Sequence, residues 1–364
     1  MLNPLSTFQA FVKLAVCLIC IDRQASFMNL YRKDFLKSLT PEKRERAGPI
    51  YRKYTRLSNF FCNLAVFVNY FCVTTWMLLP VIRSKVVSEN LHFELKVEGE
   101  KVNKILGGWY PFPFGESPWY EGVFVYEFAG AFWETIVITF FECMQISLAM
   151  MLGAHLSVLG FFISEVKARD VGIGTGTAVE GGGQEGGGAL GEGKEGQGHH
   201  RDLTPREELL LYIKDHQMVM KVGDEFKDMY NLPITLQLGF GLLILTISIF
   251  HFIFAPKGGI FILKFLLYCS YEFTEIVLYC YCGNFLETVS EDFAFNVYCS
   301  EWYKLKNDYR KSGLMIMARA MRPLSIIAVR LYPVNHVTLL SMLQFSFSTS
   351  ALLSRLTQAQ GTTS

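Results

Sequence analysis

Charge is what this chain is short of: Asp, Glu, Lys and Arg supply 18% of its 364 residues, and residues 331–353 contain none of them. A water-soluble domain carries roughly a quarter of its residues charged, so the shortage argues against a soluble fold. The net charge of +1 removes the basic footprint that nucleic-acid binding requires, and no nucleic acid is expected as a partner. Catalytic motifs are missing as well. Neither GxGxxG nor GKS/GKT occurs, no strand pattern precedes the glycine-rich stretch, and no nucleophile, base and oxyanion donor can be grouped. Neither an enzyme nor a cofactor is expected. The first apolar run ends in IDRQAS rather than in a small-residue cleavage site, so no signal peptide is read. Nine cysteines could supply a disulfide framework, but Cys17, Cys20, Cys62, Cys72, Cys143, Cys269, Cys280 and Cys282 all sit in or beside apolar segments, where buried thiols are the better reading. Cys17 and Cys20 have the spacing of a zinc or redox pair; no second pair stands at ligand spacing in a polar setting, and no metal is expected.

What the chain has instead is apolar length. Hydrophobic residues make up 51%, with 31 Phe, and segments of about 18 or more apolar residues are candidate bilayer spans. These are residues 58–82, 123–163, 232–254 and 259–283, followed by a broken last span over 314–353. An earlier run, Thr7 to Ile21, is short and holds Lys13, so it reads as a partial span over residues 1–21. The fold class is an all-α polytopic membrane protein, and lipid is its first expected partner.

Basic residues set the orientation, because Lys and Arg collect in cytoplasmic loops near span ends. Residues 22–57 carry ten basic residues against four acids and should lie inside, whereas residues 83–122, with five against six and the motif WYPFPFGESPWY, should lie outside. Taking 123–163 as one long tilted helix returns 164–231 to the inside. Residues 284–313 then fall inside and the tail 354–364 outside. Residues 172–198 hold 13 glycines, too little apolar surface to offset the entropy of ordering, and read as a flexible insert. From Thr204, a candidate cap followed by Pro205 at the first helical position, TPREELLLYIKDHQMVMKVGDEFKDM alternates apolar and charged residues at helical spacing. That helix should run on into the next span.

Polar groups inside the spans are the candidate functional residues. Glu127, Glu134 and Glu142 fall within about 80° of one another on a helix, and Glu272 and Glu275 lie in a later span. A proton or ion relay is one reading; hydrogen bonding between helices is the other and the more usual. Asn69, Cys72 and Trp76 share a helix face, as do Tyr268 and Tyr271. Such stripes commonly mean helix packing, yet together with Phe132 and Ile136 they would also make an aromatic-walled pocket for a small apolar molecule in the outer half of the bundle.

The region YCYCGNFLETVSEDFAFNVYCSEWY resembles the signature of the insect odorant receptors at the inner end of their sixth span, with Cys280, Gly283, Ser290, Ala294, Tyr298 and Trp302 in place. MARAMRPLSIIAV resembles the helix before their pore, with Arg319 and Pro323 in register. LYPVNHVTLLSMLQFSFSTSALL aligns with the family's ending without a gap. The resemblance extends upstream through WYPFPFGESPWY and LLLYIKDHQMV. It implies a seven-span fold, here lacking the first span and carrying the Gly-rich insert as an addition. It further implies a ligand-tuned subunit of an odorant-gated, non-selective cation channel, assembled as a heterotetramer with odorant co-receptor subunits in the plasma membrane of a sensory neuron dendrite, and binding small volatile ligands. On the last span, Val337, Leu340, Ser341, Gln344, Ser348 and Leu352 would then line the conduit, with Leu352 as a gate by dewetting and Arg355 at the outer mouth.

Three other readings compete. A G-protein-coupled chemoreceptor requires the opposite orientation, and Asp22-Arg23 is followed by Gln24 rather than completing a DRY triplet. A secondary transporter would suit the intramembrane acids but should show an internal repeat, and none is found. A truncated, non-functional receptor is the reading the missing first span favours.

Overall fold

The computed structural model describes residues 3–25, 41–89, 119–165, 205–254, 259–304, 307–329 and 331–361. The loop core with WYPFPFGESP, the Gly-rich insert and Thr204 lie outside the described residues. Among the described residues the fold is carried by α1 (Asn3–Ile19), α2 (Pro41–Glu89), α3 (Trp119–Ser164), α4 (Pro205–Phe254), α5 (Gly259–Cys299), α6 (Asn307–Ala320) and α7 (His336–Gly361). A two-residue antiparallel pair, β1 (Ile327–Ala328) with β2 (Tyr332–Pro333), joins α6 to α7. Four of these helices (α2, α3, α4 and α7) are long and apolar enough to cross a membrane by length and composition.

Length separates two roles within one helix. At ~1.5 Å rise per residue, the 49 residues of α2 and the 50 of α4 extend roughly 75 Å, against a hydrocarbon core of ~30 Å. More than half of each helix therefore continues beyond lipid. Within the segments read as cytoplasmic connections, residues 41–57 and 284–299 are helical and continue the adjoining spans, and residues 205–231 run on into the next span as their helical spacing implies. Ion pairs and buried apolar residues hold these extensions together. Arg46 pairs with Glu165 and Lys43 with Glu208, the Lys43 ammonium also reaches the Tyr212 hydroxyl at 3.0 Å, and Ala47, Phe162, Tyr212, Phe226 and Phe293 are buried among them. Hydropathy detects the unbroken apolar stretch of each helix and misses the extension beyond it, where charged and apolar residues alternate. Pro205 does open α4, with Glu207 and Glu208 in its first turn, where a missing N–H costs nothing and acids face the positive helix end.

The central helix is α3. Its most apolar stretch is 78% buried inside the protein, against 28% for α2 and 17% for α7, because α1, α2, α4 and α5 all pack around it. Hydroxyls on the spans are absorbed locally: Thr135, Thr246, Thr274 and Ser341 each donate to the carbonyl four residues earlier, at 2.7–2.9 Å, which satisfies them without water.

The last span breaks differently from the expectation. In place of a break at 331/332 between two apolar halves, α6 ends at Ala320 and the chain turns through the short strand pair before α7 starts at His336. Pro323 and Pro333 explain the offset, since each removes a backbone donor and restricts the residue before it. At the tip of this turn Val329 has φ 54°, an outlier for a β-branched residue, and its N–H donates to the Thr235 hydroxyl at 3.1 Å. The tail assigned to 354–364 is corrected in part, as α7 continues to Gly361.

Candidate functional site

Between α1, α2, α3 and α5 lies a cavity of about 120 Å³. Helix α2 contributes Cys72, Val73, Trp76 and Met77, one continuous face at i, i+1, i+4 and i+5; α5 contributes Leu267, Tyr268 and Tyr271. Helix α3 contributes Ala131, Glu134, Thr135 and Ile138, and α1 reaches in with Thr7. The Trp76 and Tyr268 rings stand 6.2 Å apart, inclined at 49°. The Thr7 hydroxyl donates to Glu134 Oε2 at 3.4 Å. Cys72 Sγ lies 3.6 Å from Ser270 Oγ. The walls are thus aromatic and aliphatic, with the carboxyl of Glu134 and the hydroxyls of Thr7, Thr135, Tyr268 and Tyr271 set into them, the usual make-up of a small-molecule site.

Cys72, Trp76, Tyr268 and Tyr271 line one cavity, as the stripe reading places them, but three residues assigned to it do not. Asn69 is one turn deeper on α2, donating to the Thr139 hydroxyl at 3.1 Å and to Glu142 Oε2 at 3.0 Å; an amide at lipid depth goes to the strongest acceptor in reach. Phe132 stacks on Phe128 at 4.8 Å and meets Tyr70 at 6.1 Å, and Ile136 is exposed on the outside of the bundle. They are rotated by about 110° and about 150° from the centre of the 131, 134/135, 138 face that α3 turns toward the cavity. Glu134 held the missing signal, because an ionisable residue in a span marks the face that avoids lipid.

One turn below the cavity on α2, α3 and α5 the structure ties five helices into a buried polar knot. Lys13 of α1 donates to Glu142 of α3 at 3.5 Å and to Glu275 of α5 at 3.4 Å. Gln237 of α4 donates to the other oxygen of Glu275, Asn69 of α2 to Glu142, and the Lys13 ammonium lies 5.7 Å from the centre of the Tyr279 ring. Glu272 is fully buried, with neither carboxyl oxygen hydrogen-bonded among the described residues. Lys13, which made α1 look too charged to span, is the counter-charge for acids on two other helices. Among the described residues no group of His, Cys, Asp and Glu could hold a metal ion.

The residues assigned to a pore face occupy one side of α7. Val337, Leu340, Ser341, Gln344, Ser348, Leu352 and Arg355 are all exposed and fall within about 120° of one another at 100° per residue. The opposite side holds the buried Met342, Ser346 and Ser350, the last donating to the Thr246 carbonyl of α4 at 3.0 Å. Phe345 and Phe347, both exposed, flank the polar stripe on either side.

The signature residues earn their places at the base of α7. A Cβ on Gly283 would collide with the Val334 carbonyl, so only glycine admits the strand pair against α5. The Ser290 hydroxyl accepts the Leu324 N–H at 3.0 Å, capturing the chain just after Pro323. Asn335 caps α7, its Oδ1 accepting from Val337 N at 3.1 Å and Thr338 N at 3.2 Å, as an N-cap asparagine does.

These features have relatives. A family model described as 7tm Odorant receptor matches residues 4–347. Among solved structures, the insect olfactory receptor OR5 from Machilis hrabei in complex with eugenol superposes with a TM-score of 0.71 at 16% identity, covering 98% of this chain and 81% of that one. The structure of the same receptor described without a ligand gives 0.70 at 16%, covering 97% and 80%. No curated protein sequence matches. With the family matched over nearly the whole chain and the fold shared along its length, the chain belongs to the 7tm odorant receptor family and is a multi-pass membrane receptor rather than an enzyme.

Proposed function

We propose that this receptor is the ligand-tuned subunit of an odorant-gated, non-selective cation channel in the plasma membrane, assembled with odorant co-receptor subunits into a heterotetramer. The observation that carries the reading is the exposed polar stripe of α7. A helix that crosses lipid places hydroxyls and an amide toward protein or water, yet this chain covers only the opposite side. One such helix from each of four subunits would enclose a conduit, with serines and Gln344 easing ions through and Leu352 closing it by dewetting. The basic residues of 22–57 and 164–231 put those segments inside and the cavity in the outer half. A small volatile molecule entering there meets Trp76, Tyr268 and Tyr271.

The test is co-expression with and without a co-receptor, an odorant panel, and current recording. Odorant-evoked current that requires this subunit is expected. Removing one aromatic wall uncovers on the order of 50 Å², about 1 kcal/mol, so Trp76→Ala and Tyr271→Ala should each weaken sensitivity about fivefold at normal surface level. Unchanged dose–response curves would assign the rings to packing, and current that persists without this subunit would end the channel reading.

A further inference from the structure

The face of α2 turned away from the bundle changes character at the inner membrane boundary, and we infer that it binds a phosphoinositide of the inner leaflet through phosphates on the inositol ring. Phe60, Leu64, Phe67 and Phe71 are exposed along its upper part, where the Phe67 and Phe71 rings stack 5.6 Å apart. The far side, where α2 packs on α3 and α5, holds the buried Ser58, Ala65 and Asn69. Below the rings, Arg52, Arg56, Asn59 and Asn63 follow at spacings of four, three and four, within about 60° of one another, with Lys53 beside them. All five are exposed. None of these side chains makes a hydrogen bond or an ion pair among the described residues.

Basic residues below a span mark its orientation and need no ligand; the two asparagines separate a site from that rule. A hydrocarbon core of ~30 Å takes about twenty helical residues, and about twenty counted inward from Ile82 end at Asn63. Asn63 and Asn59, about 6 Å apart along the axis, therefore present amides at the depth of the ester and phosphodiester groups, where an amide without a partner is costly. Charge then continues deeper than an ordinary headgroup. Each headgroup layer is about 5–7 Å thick, whereas Arg56 and Lys53 lie about 10 and 15 Å beyond Asn63. Side chains on a helix lean toward its N-terminus, which for α2 is away from the membrane. Arg52 lies that way, since a Cβ on Gly48, one turn earlier, would come within 3.3 Å of its guanidinium. The Lys53 ammonium stands 5.4 Å from the Tyr54 ring centre, and the nearest acid on this face, Glu45, is seven residues below Arg52. A headgroup charged only at phosphodiester depth stops short of these cations. A phosphorylated inositol ring carries its charge out to them, while an acyl chain lies along Phe60, Leu64 and Phe67.

The test is binding of dioctanoyl phosphatidylinositol 4,5-bisphosphate to the full chain in detergent, with dioctanoyl phosphatidylserine and inositol 1,4,5-trisphosphate as comparisons. The bisphosphate lipid should bind at least about tenfold more tightly than either. A basic residue near an anionic lipid surface is worth about fivefold in affinity, so the double variant Lys53→Gln, Arg56→Gln should lose about 25-fold, and Asn63→Leu should weaken the lipid by about threefold or more. Equal affinity for phosphatidylserine overturns the inference, as does equal affinity for the soluble trisphosphate, which would make the ligand a free phosphate. Unchanged affinity in the double variant removes the site from α2. Should that variant melt lower than wild type without lipid, Lys53→Arg, Arg56→Lys decides: with charge kept, affinity should stay within about threefold, and a loss as large as with glutamine overturns the charge assignment. Variants that impair assembly with co-receptor subunits at unchanged lipid affinity would give this face to a neighbouring helix, and the inference falls.

Discussion

Replacing Lys13 by Met would leave Glu142 and Glu275 across from one another inside the bundle with no cation between them. Breaking a buried pair by removing one partner costs about 3–5 kcal/mol, so Lys13→Met should abolish surface expression or lower the melting temperature sharply in detergent. The triple variant Lys13→Met, Glu142→Gln, Glu275→Gln should recover most of the loss, because neutral groups of the same shape need no counter-charge. Equal loss in the single and triple variants would show that Lys13 acts by packing. At this scale the sequence was half legible. The acids stood out as intramembrane charges, and hydrogen bonding between helices is what Glu142 and Glu275 do. Their partner did not stand out, because Lys13 is 129 residues from one acid and 262 from the other, and no local spacing rule connects them. Asn69 was misplaced for a related reason: a face shared with Cys72 and Trp76 says nothing about depth, and one turn decides whether the amide meets a cavity or a carboxylate.

Within the elements, the strand pair before α7 is held by fit. Gly283→Ala drives a methyl group into the Val334 carbonyl, a backbone atom that cannot rotate away, and should destabilise by about 1–3 kcal/mol as an overpacked contact does. Val329→Gly should act in the opposite direction, relieving about 1 kcal/mol of left-handed strain at φ 54°; thermal melting of both variants in detergent checks the two signs. For α7 itself, Leu352→Ser should raise current without odorant. Arg355→Glu should raise relative divalent permeability, more at low ionic strength than at high, since exposed charge is screened beyond about 8 Å at physiological salt. If neither changes in channels shown to contain this subunit, α7 does not face the conduit. The spans were legible because lipid demands unbroken apolar length. The helical extension over 205–231 is legible in its spacing of apolar and charged residues, whereas 41–57 reads only as a basic segment, and the bend at 321–335 reads about ten residues late because Pro323 sits inside an otherwise apolar run.

For the whole molecule, the charge bias requires tags at Glu98 and Gly187 to label on opposite sides of the membrane, whatever the local structure there; labelling on one side would remove α3 as a single crossing. The polar knot also sets a schedule. A ribosome adds about 5–20 residues per second, so Glu275 emerges roughly 13–50 s after Lys13, its partner 262 positions earlier. During that interval α1 holds a lysine at its centre with its acids not yet made, and a central lysine costs about 2.5–3.5 kcal/mol on insertion. Helix α1 is therefore made before its partners and settles only with them: it waits at the membrane surface or in the translocon until α3 and α5 arrive, and slowing translation between residues 142 and 275 should prolong that wait and divert more chains to degradation than the same delay placed after residue 300.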